Sequence, residues 1–429
     1  MPVSIVFHID VNSAFLSWTA LELLRKDPAS VDLRTIPAII GGDEKQRHGV
    51  VLAKSIPAKR YGIHTGEPVA TALRKCPFLK LVPPDHALYR TRSRELMTLL
   101  HTYTSDIEQV SIDECYLFYT PISHRFPSPE AAARQIADEV KHTLGFTVNV
   151  GIAENKLLAK MASDFEKPDR VHTLYRDEIP SKMWPLSVHE LFMVGRRSAS
   201  RLEELGIHTI GELAHSDRAF LQTQFKSHGI LMWEYANGID HSAVHADATK
   251  AKCIGNSTTL ASDVTTRSAA FEVLLSLSEE VAARLRKAGQ LASTVTVEVK
   301  YSDFHTASRQ MQTRTPIATT DALYDCACQL FNALWNGSPI RLLGVRTSRL
   351  QSEHDPIQLS LFDLDIPLTE ASPSDAPSAS DAIAKKTDLE KQRKLDAAMD
   401  QIRQKFGKDA VMRGSHLPRP KSPIFPLDT

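Results

Sequence analysis

The chain has 429 residues, 42% of them hydrophobic, which is enough for about two to four cored domains and too much for one. Its 51 Lys and Arg balance its 51 Asp and Glu, so no global charge announces a nucleic acid or a membrane surface, and any basic face must be local. Five cysteines without a Cys-x-x-Cys pair argue against zinc ribbons and disulfide scaffolds, and the absence of a leader pattern or an apolar run near about 18 residues predicts a soluble protein in a reducing cytoplasm.

Residues 3–9 are an apolar run broken only by Ser4 and His8, which predicts a central strand buried on both faces and ending before Asp10. A helical pattern follows through Leu16, Ala20, Leu23 and Leu24 to Pro28, with Phe15 near its start. Residues 36–40 and 49–53 read as short strands around Gly41-Gly42-Asp43-Glu44. Diguanylate cyclases carry such a tetrapeptide before an aromatic, but Lys45 stands there, so a hairpin turn is expected. Lys54, Lys59 and Arg60 surround a helix start at Ser55-Ile56-Pro57 and form a basic stretch suited to a triphosphate. Helical patterns recur over 68–75 and 86–101.

The chemistry concentrates in Ser111-Ile112-Asp113-Glu114. β-rich runs at 107–112 and 115–119 flank the two acids, predicting a hairpin with its carboxylates at or beside the turn. Adjacent carboxylates repel, and no Lys or Arg lies near them in sequence; a hard divalent cation is the usual remedy. Together with Asp10 they are the minimum set for a two-metal phosphoryl-transfer site, whose ions stand about 3.5–4 Å apart.

Ser128-Pro129 opens a helix, residues 146–153 read as a strand, and 155–164 as a helix carrying Lys156 and Lys160, closed by Lys167-Pro168. Residues 1–170 thus predict a mixed sheet with helices and a small inserted subdomain. Residues 186–240 alternate helix and glycine turn. This is the pattern of a helix-hairpin-helix, whose amides around Gly195 and whose Arg196 and Arg197 would bind duplex phosphates; Thr209 and Glu212 form a capping box. Residues 253–350 read as an α+β unit. Its strand 294–301 alternates, with Val295, Val297, Val299 and Tyr301 on one face and Thr294, Thr296, Glu298 and Lys300 on the other. Arg309 and Arg314 on the next strand, and Arg341, Arg346 and Arg349 on the last, predict a free basic face for a phosphate backbone. In the tail, 358–363 is a peptide that an apolar pocket can capture, 367–381 has a flexible composition, and 388–406 is a charged helix that either docks on the body or binds a partner.

His8-Ile9-Asp10, Ser111-Ile112-Asp113-Glu114, Asn155-Lys156 with Ala159-Lys160, and Lys167-Pro168 occur in one order. With the helix-hairpin-helix they resemble the Y-family DNA polymerases, in particular the bacterial DinB and UmuC group, over about residues 3–363. The resemblance implies an α+β multidomain right hand: a palm at 1–15 and 88–175, fingers at 16–87, a thumb at 176–240, a little finger at 253–350 and a tail at 351–429. It implies low-fidelity, template-directed synthesis past lesions, with deoxynucleoside triphosphates joined to the primer 3′-hydroxyl of primer-template DNA. Asp10, Asp113, Glu114 and the Val11 carbonyl are implied as ligands of two Mg²⁺ ions. Phe15 is implied as a steric gate against ribose, and Lys160 as a triphosphate contact, with Lys59 at a fingers position that usually carries Arg. Gln358, Leu361 and Phe362 are implied as contacts to a β sliding clamp. A monomer, free of membranes, is expected.

Three positions depart from the family pattern. Asn12 replaces the second acid of Asp-x-Asp, with no expected loss of activity. Ile56 and Lys59 stand where Tyr and Arg are usual, and Lys lacks the bidentate fork. Met193-Val194-Gly195 has one glycine fewer, which is expected to weaken a phosphate contact. The alternative is a non-catalytic or partner-dependent scaffold at the replication clamp; the retained Asp10, Asp113, Glu114 and Lys160 count against it.

Overall fold

The computed structural model describes residues 4–42, 49–246, 251–355, 379–407 and 410–411, the stretch 379–390 as backbone alone. Asp43 and Glu44 of the Gly41–Glu44 turn, Lys45 and the peptide of Gln358, Leu361 and Phe362 lie outside the described residues. The chain divides into two units, Met1–Thr249 and Lys250–Thr429.

The first unit runs β1 (Val6–Val11), α1 (Ala14–Lys26), β2 (Ala38–Gly41), β3 (Val51–Lys54), α2 (Ile56–Lys59), α3 (Val69–Lys75), β4 (Lys80–Val82), α4 (His86–Leu100), β5 (Ile107–Gln109) and β6 (Glu114–Phe118). It continues with α5 (Pro129–Leu144), β7 (Val148–Ala153), α6 (Lys156–Asp164), β8 (Val171–Thr173), α7 (Arg196–Glu204), α8 (Ile210–Ala214), α9 (Arg218–Phe225) and α10 (Ser227–Ala236). Five strands form a mixed sheet in the order β5-β6-β1-β7-β8, with only the β7–β8 pair parallel.

β1 is central and buried along its whole length. Phe7, Ile9 and Val11 point into a core shared with α1, α4 and α5, while Val6 belongs to a second core with α6 and the helices that follow. Because both faces are covered, alternation is absent from its sequence. Asp10 lies within the strand rather than after it, since Glu114 and Asn149 pair with it from the two sides. A separate small sheet, β3-β2-β4, has its own core of Ile39, Val51, Ala58, Ile63, Val69 and Leu79.

The second unit runs β9 (Cys253–Val264), α11 (Arg267–Lys287), β10 (Gln290–Tyr301), β11 (Thr306–Ile317), α12 (Thr320–Leu334), β12 (Ile340–Ser352) and α13 (Ala379–Phe406). Its antiparallel sheet has the order β11-β10-β12-β9. Val295, Val297 and Val299 pack under α11 and α12 through Leu274, Val281 and Phe331. Thr294 and Thr296, expected on an open face, are each only 6% exposed, because β10 is flanked by β11 and β12. α13 begins nine residues earlier than the periodicity indicated and docks within this unit: the buried Asp396 accepts from the Thr320 N–H at 2.9 Å and from Arg286 at 3.1 Å. No helix among the described residues is long and apolar enough to cross a membrane.

Candidate active site

Sheet register assembles the acids. Asp10 and Glu114 are direct cross-strand partners on β1 and β6. Asp113 occupies the turn before β6, and its carbonyl accepts from the Val11 N–H at 3.1 Å, which docks the turn onto the end of β1. Ser111 organises that turn: its hydroxyl donates to Asp113 Oδ1 at 2.7 Å and accepts from the N–H groups of Asp113 and Glu114 at 3.2 and 3.0 Å.

The cations missing from the local sequence arrive from α6 and the loop after it. Lys160 Nζ lies 2.8 Å from Glu114 Oε1, 4.0 Å from Asp10 Oδ2 and 3.3 Å from Asp164. Lys167 pairs with Asp10 and, at 2.8 Å, with Asp164. Burial raises the Asp10 carboxyl above its ordinary range, the two lysines oppose that, and Glu114 adds to it. Burial works against both ammonium groups, yet the surrounding carboxylates win and raise both lysines. His8 is held well below its usual range, first by burial and then by Lys160 and Lys167, so it is neutral and meets the Ser163 hydroxyl through Nδ1 at 2.8 Å.

Two ammonium groups thus face the three carboxylates of Asp10, Glu114 and Asp164, and the Asp113 carboxylate beside them is held by Ser111. Excess carboxylate charge gathered around the buried Asp10 is a donor set that suits a hard divalent cation. Among the described residues no three His, Cys, Asp or Glu side chains gather around one point: Asp113 is turned to Ser111, and the lysines stand among the other acids.

Phe15, the second residue of α1, is half-buried and stacked on Tyr89 of α4, with centroids 4.2 Å apart and rings 6° from parallel. His86 meets its ring edge-on, and the Tyr89 hydroxyl is 3.0 Å from that of Thr19. Lys59 is exposed at the end of α2, near enough to Lys54 to add to the lowering that burial imposes on it; Ile56 is half exposed. No ion pair among the described residues joins Lys59 to the acids. Gly195 caps α7, leaving Arg196 and Arg197 exposed on its first turn. Met193 adopts φ 69°, the left-handed conformation natural to glycine, at the very turn where the family pattern has one glycine more.

The basic sheet face divides. Arg314 is exposed, but Arg309 pairs with Val297, whose face carries the helices, and its Nη1 donates to the Ala333 carbonyl at 3.1 Å. Arg346, opposite Thr296, is exposed on the open side. The Asn155-Lys156 motif serves structure: Asn155 caps α6 and donates to the Gly238 carbonyl at 2.9 Å, and Lys156 pairs with Glu108 at 2.8 Å. The sequence signals Lys167 only through the Lys167-Pro168 pair, which gives it no place in the site, and carries no signal for Asp164, Tyr89 or Asn149.

The impB/mucB/samB family model matches residues 9–164, and the model of that family's C-terminal domain matches residues 251–361. A DNA polymerase IV of Clostridium acetobutylicum is 45% identical over 409 residues, spanning 95% of this chain and 97% of its own. DNA polymerase IV 1 of Bacillus subtilis is 37% identical over 360 residues, 83% of this chain and 85% of its own. A solved Y-family DNA polymerase chimera superposes with a TM-score of 0.71 at 22% identity, covering 81% of this chain and 99% of that one. The fold is therefore that of a Y-family DNA polymerase. The chain belongs to the impB/mucB/samB family, among the Y-family DNA polymerases of the DinB type, and membership carries a dependence on divalent metal.

Proposed function

We propose that the chain carries out template-directed, low-fidelity DNA synthesis across damaged templates at the Asp10–Glu114 centre. The register pair of Asp10 and Glu114, with the Asp113 turn docked beside it, is the observation that carries this reading. The primer 3′-hydroxyl attacks the α-phosphate of a deoxynucleoside triphosphate, and pyrophosphate leaves. Two Mg²⁺ ions held by Asp10, Asp113, Glu114 and the Val11 carbonyl would supply hydroxyl activation and neutralise charge on the leaving group.

The protein's own part is orientation and charge. Sheet register holds Asp10 and Glu114, and Ser111 holds Asp113. Phosphate oxygens brought beside Asp10 meet the ammonium groups of Lys160 and Lys167, with Lys59 as a further cation. The Phe15 ring, pinned by Tyr89, excludes a ribose hydroxyl. The five-stranded sheet serves as palm, the β3-β2-β4 unit as fingers, α7–α10 as thumb and the second unit as little finger. Gly195, Arg196, Arg197, Arg314 and Arg346 suit duplex phosphates, whereas Arg309 is committed to α12. Gln358, Leu361 and Phe362 serve as the tether to a β sliding clamp, which raises the effective concentration of a weakly held, monomeric enzyme. Five free cysteines accord with a reducing cytoplasm.

Primer extension with Mg²⁺ on undamaged and abasic templates tests the reading, wild type against Asp113→Ala. The variant should lose at least about a hundredfold in rate, the scale of removing a charge-stabilising ligand. Undiminished synthesis would move the centre elsewhere, and no synthesis by the wild type even with the clamp would favour the partner-dependent scaffold.

A further inference from the structure

Asn12 lies two residues beyond Asp10 and is 8% exposed. Its Oδ1 accepts from the Asp169 N–H at 2.7 Å and from the Thr147 hydroxyl at 2.9 Å, and its Nδ2 donates to Asn149 Oδ1 at 3.1 Å. Asn149, fully buried on β7, accepts also from the Arg170 N–H at 3.2 Å. Its Nδ2 donates to the carbonyls of Ser163 at 3.1 Å and Glu166 at 2.7 Å. Backbone donors and acceptors fix the orientation of both amides: flipping either one sets oxygen against carbonyl or nitrogen against N–H. The segment they grip, residues 163–170, carries Lys167, whose ammonium reaches Asp10 and Asp164.

We propose that Asn12 and Asn149 form a positioning bracket that fixes segment 163–170 and so places the Lys167 ammonium at the Asp10 carboxylate. The inference rests on the Asp10–Glu114 centre being the site of nucleotidyl transfer. It also accounts for the amide at position 12. Both Nδ2 hydrogens of Asn149 are already given to Ser163 and Glu166, so Asn149 presents only oxygen to residue 12, which must donate. A carboxylate at 12 would set oxygen against oxygen in a buried place, or force Asn149 to turn and release the two carbonyls. Neither asparagine touches the reacting groups; both act through Lys167.

The test is single-nucleotide incorporation by the full chain on an undamaged primer-template, for wild type, Asn12→Asp, Asn149→Ser, Lys167→Met and the double variant Asn149→Ser/Lys167→Met. Amide hydrogen exchange over 163–170 is followed in parallel. Asn12→Asp and Asn149→Ser should each raise the KM for the deoxynucleotide by roughly tenfold, the effect of one lost buried hydrogen-bond set, with a smaller change in kcat. Exchange at Asp169 and Arg170 should quicken, and the double variant should be no worse than Lys167→Met alone. Asn12→Ser, small and neutral, gives the same KM rise if Asn12→Asp does not fold. Additive KM effects, or unchanged KM with faster exchange, would reduce the asparagines to packing and overturn the bracket alone. No KM effect of Lys167→Met would instead remove Lys167 from the nucleotide site, and the bracket's function with it.

Discussion

Phe15 illustrates what a single residue owes to its neighbours. On its own it is an aromatic near a helix start, equally at home in a core. The structure stacks it flat on Tyr89, turns His86 edge-on to it, and ties Tyr89 to Thr19, so one face of the half-buried ring is held in place. Phe15→Ala should therefore relax discrimination between deoxy- and ribonucleotides by roughly a hundredfold, the scale on which a shaped apolar pocket rejects one hydroxyl. Competitive incorporation of the two sugars measures it, and unchanged discrimination would take Phe15 out of the gate. The residue type and its distance from Asp10 were legible along the chain. Its stack was not, because Tyr89 lies on another helix, in a stripe that reads equally well as ordinary core.

Helix α6 and strand β7 set the scale of the element. α6 brings Lys160 to the acids and leads into Lys167, so its distance from the sheet decides where both ammonium groups stand. Gly151 makes that distance short: a Cβ there would lie 2.0 Å from the Ala159 carbonyl oxygen and 2.5 Å from the Ser163 nitrogen, both backbone atoms. Gly151→Ala should cost roughly 1–3 kcal/mol through overpacking, or more, since backbone cannot rotate aside. Urea unfolding of the variant checks the cost, and the KM for deoxynucleotides should rise with it as α6 lifts. Full stability would mean that the helix sits more loosely than the contact allows. The sequence marks α6 well, with Asn155 as cap and apolar spacing behind it. It says nothing of Gly151, because a glycine inside a strand declares that room is needed without naming what fills it.

At the scale of the whole molecule, the first unit holds two sheets with their cores, the second holds one sheet and one core, and the tail helix belongs to the second. Among the described side chains of α13, polar contacts dominate its docking: Leu395, Ile402 and Phe406 are exposed, while Asp396 is 2% exposed and joins the start of α12 to Arg286. Arg286 also reaches Asp400 at 2.7 Å, and Arg403 reaches Glu279 at 3.2 Å. Asp396→Ala should weaken docking by roughly 1–3 kcal/mol, the penalty of leaving a buried donor unmet. Hydrogen exchange over 391–406 should then quicken, while β10 and β12 stay protected. Exchange unchanged in α13 would assign its docking to the other contacts.

The sequence by itself determined the order of the acids, the hairpin that carries Asp113 and Glu114, the central strand and most helix starts, because these depend on local period and capping within a few residues. It also carried enough ordered motifs to identify the family. Only the tertiary structure decided that Lys167 meets Asp10, that Asn12 donates to Asn149, that Arg309 turns to the helix side of its sheet, and that α13 docks through Asp396. The physical reason is common to all four. A strand's pattern specifies which residues share a face, but the partner on that face is chosen by register and packing between segments far apart in the chain.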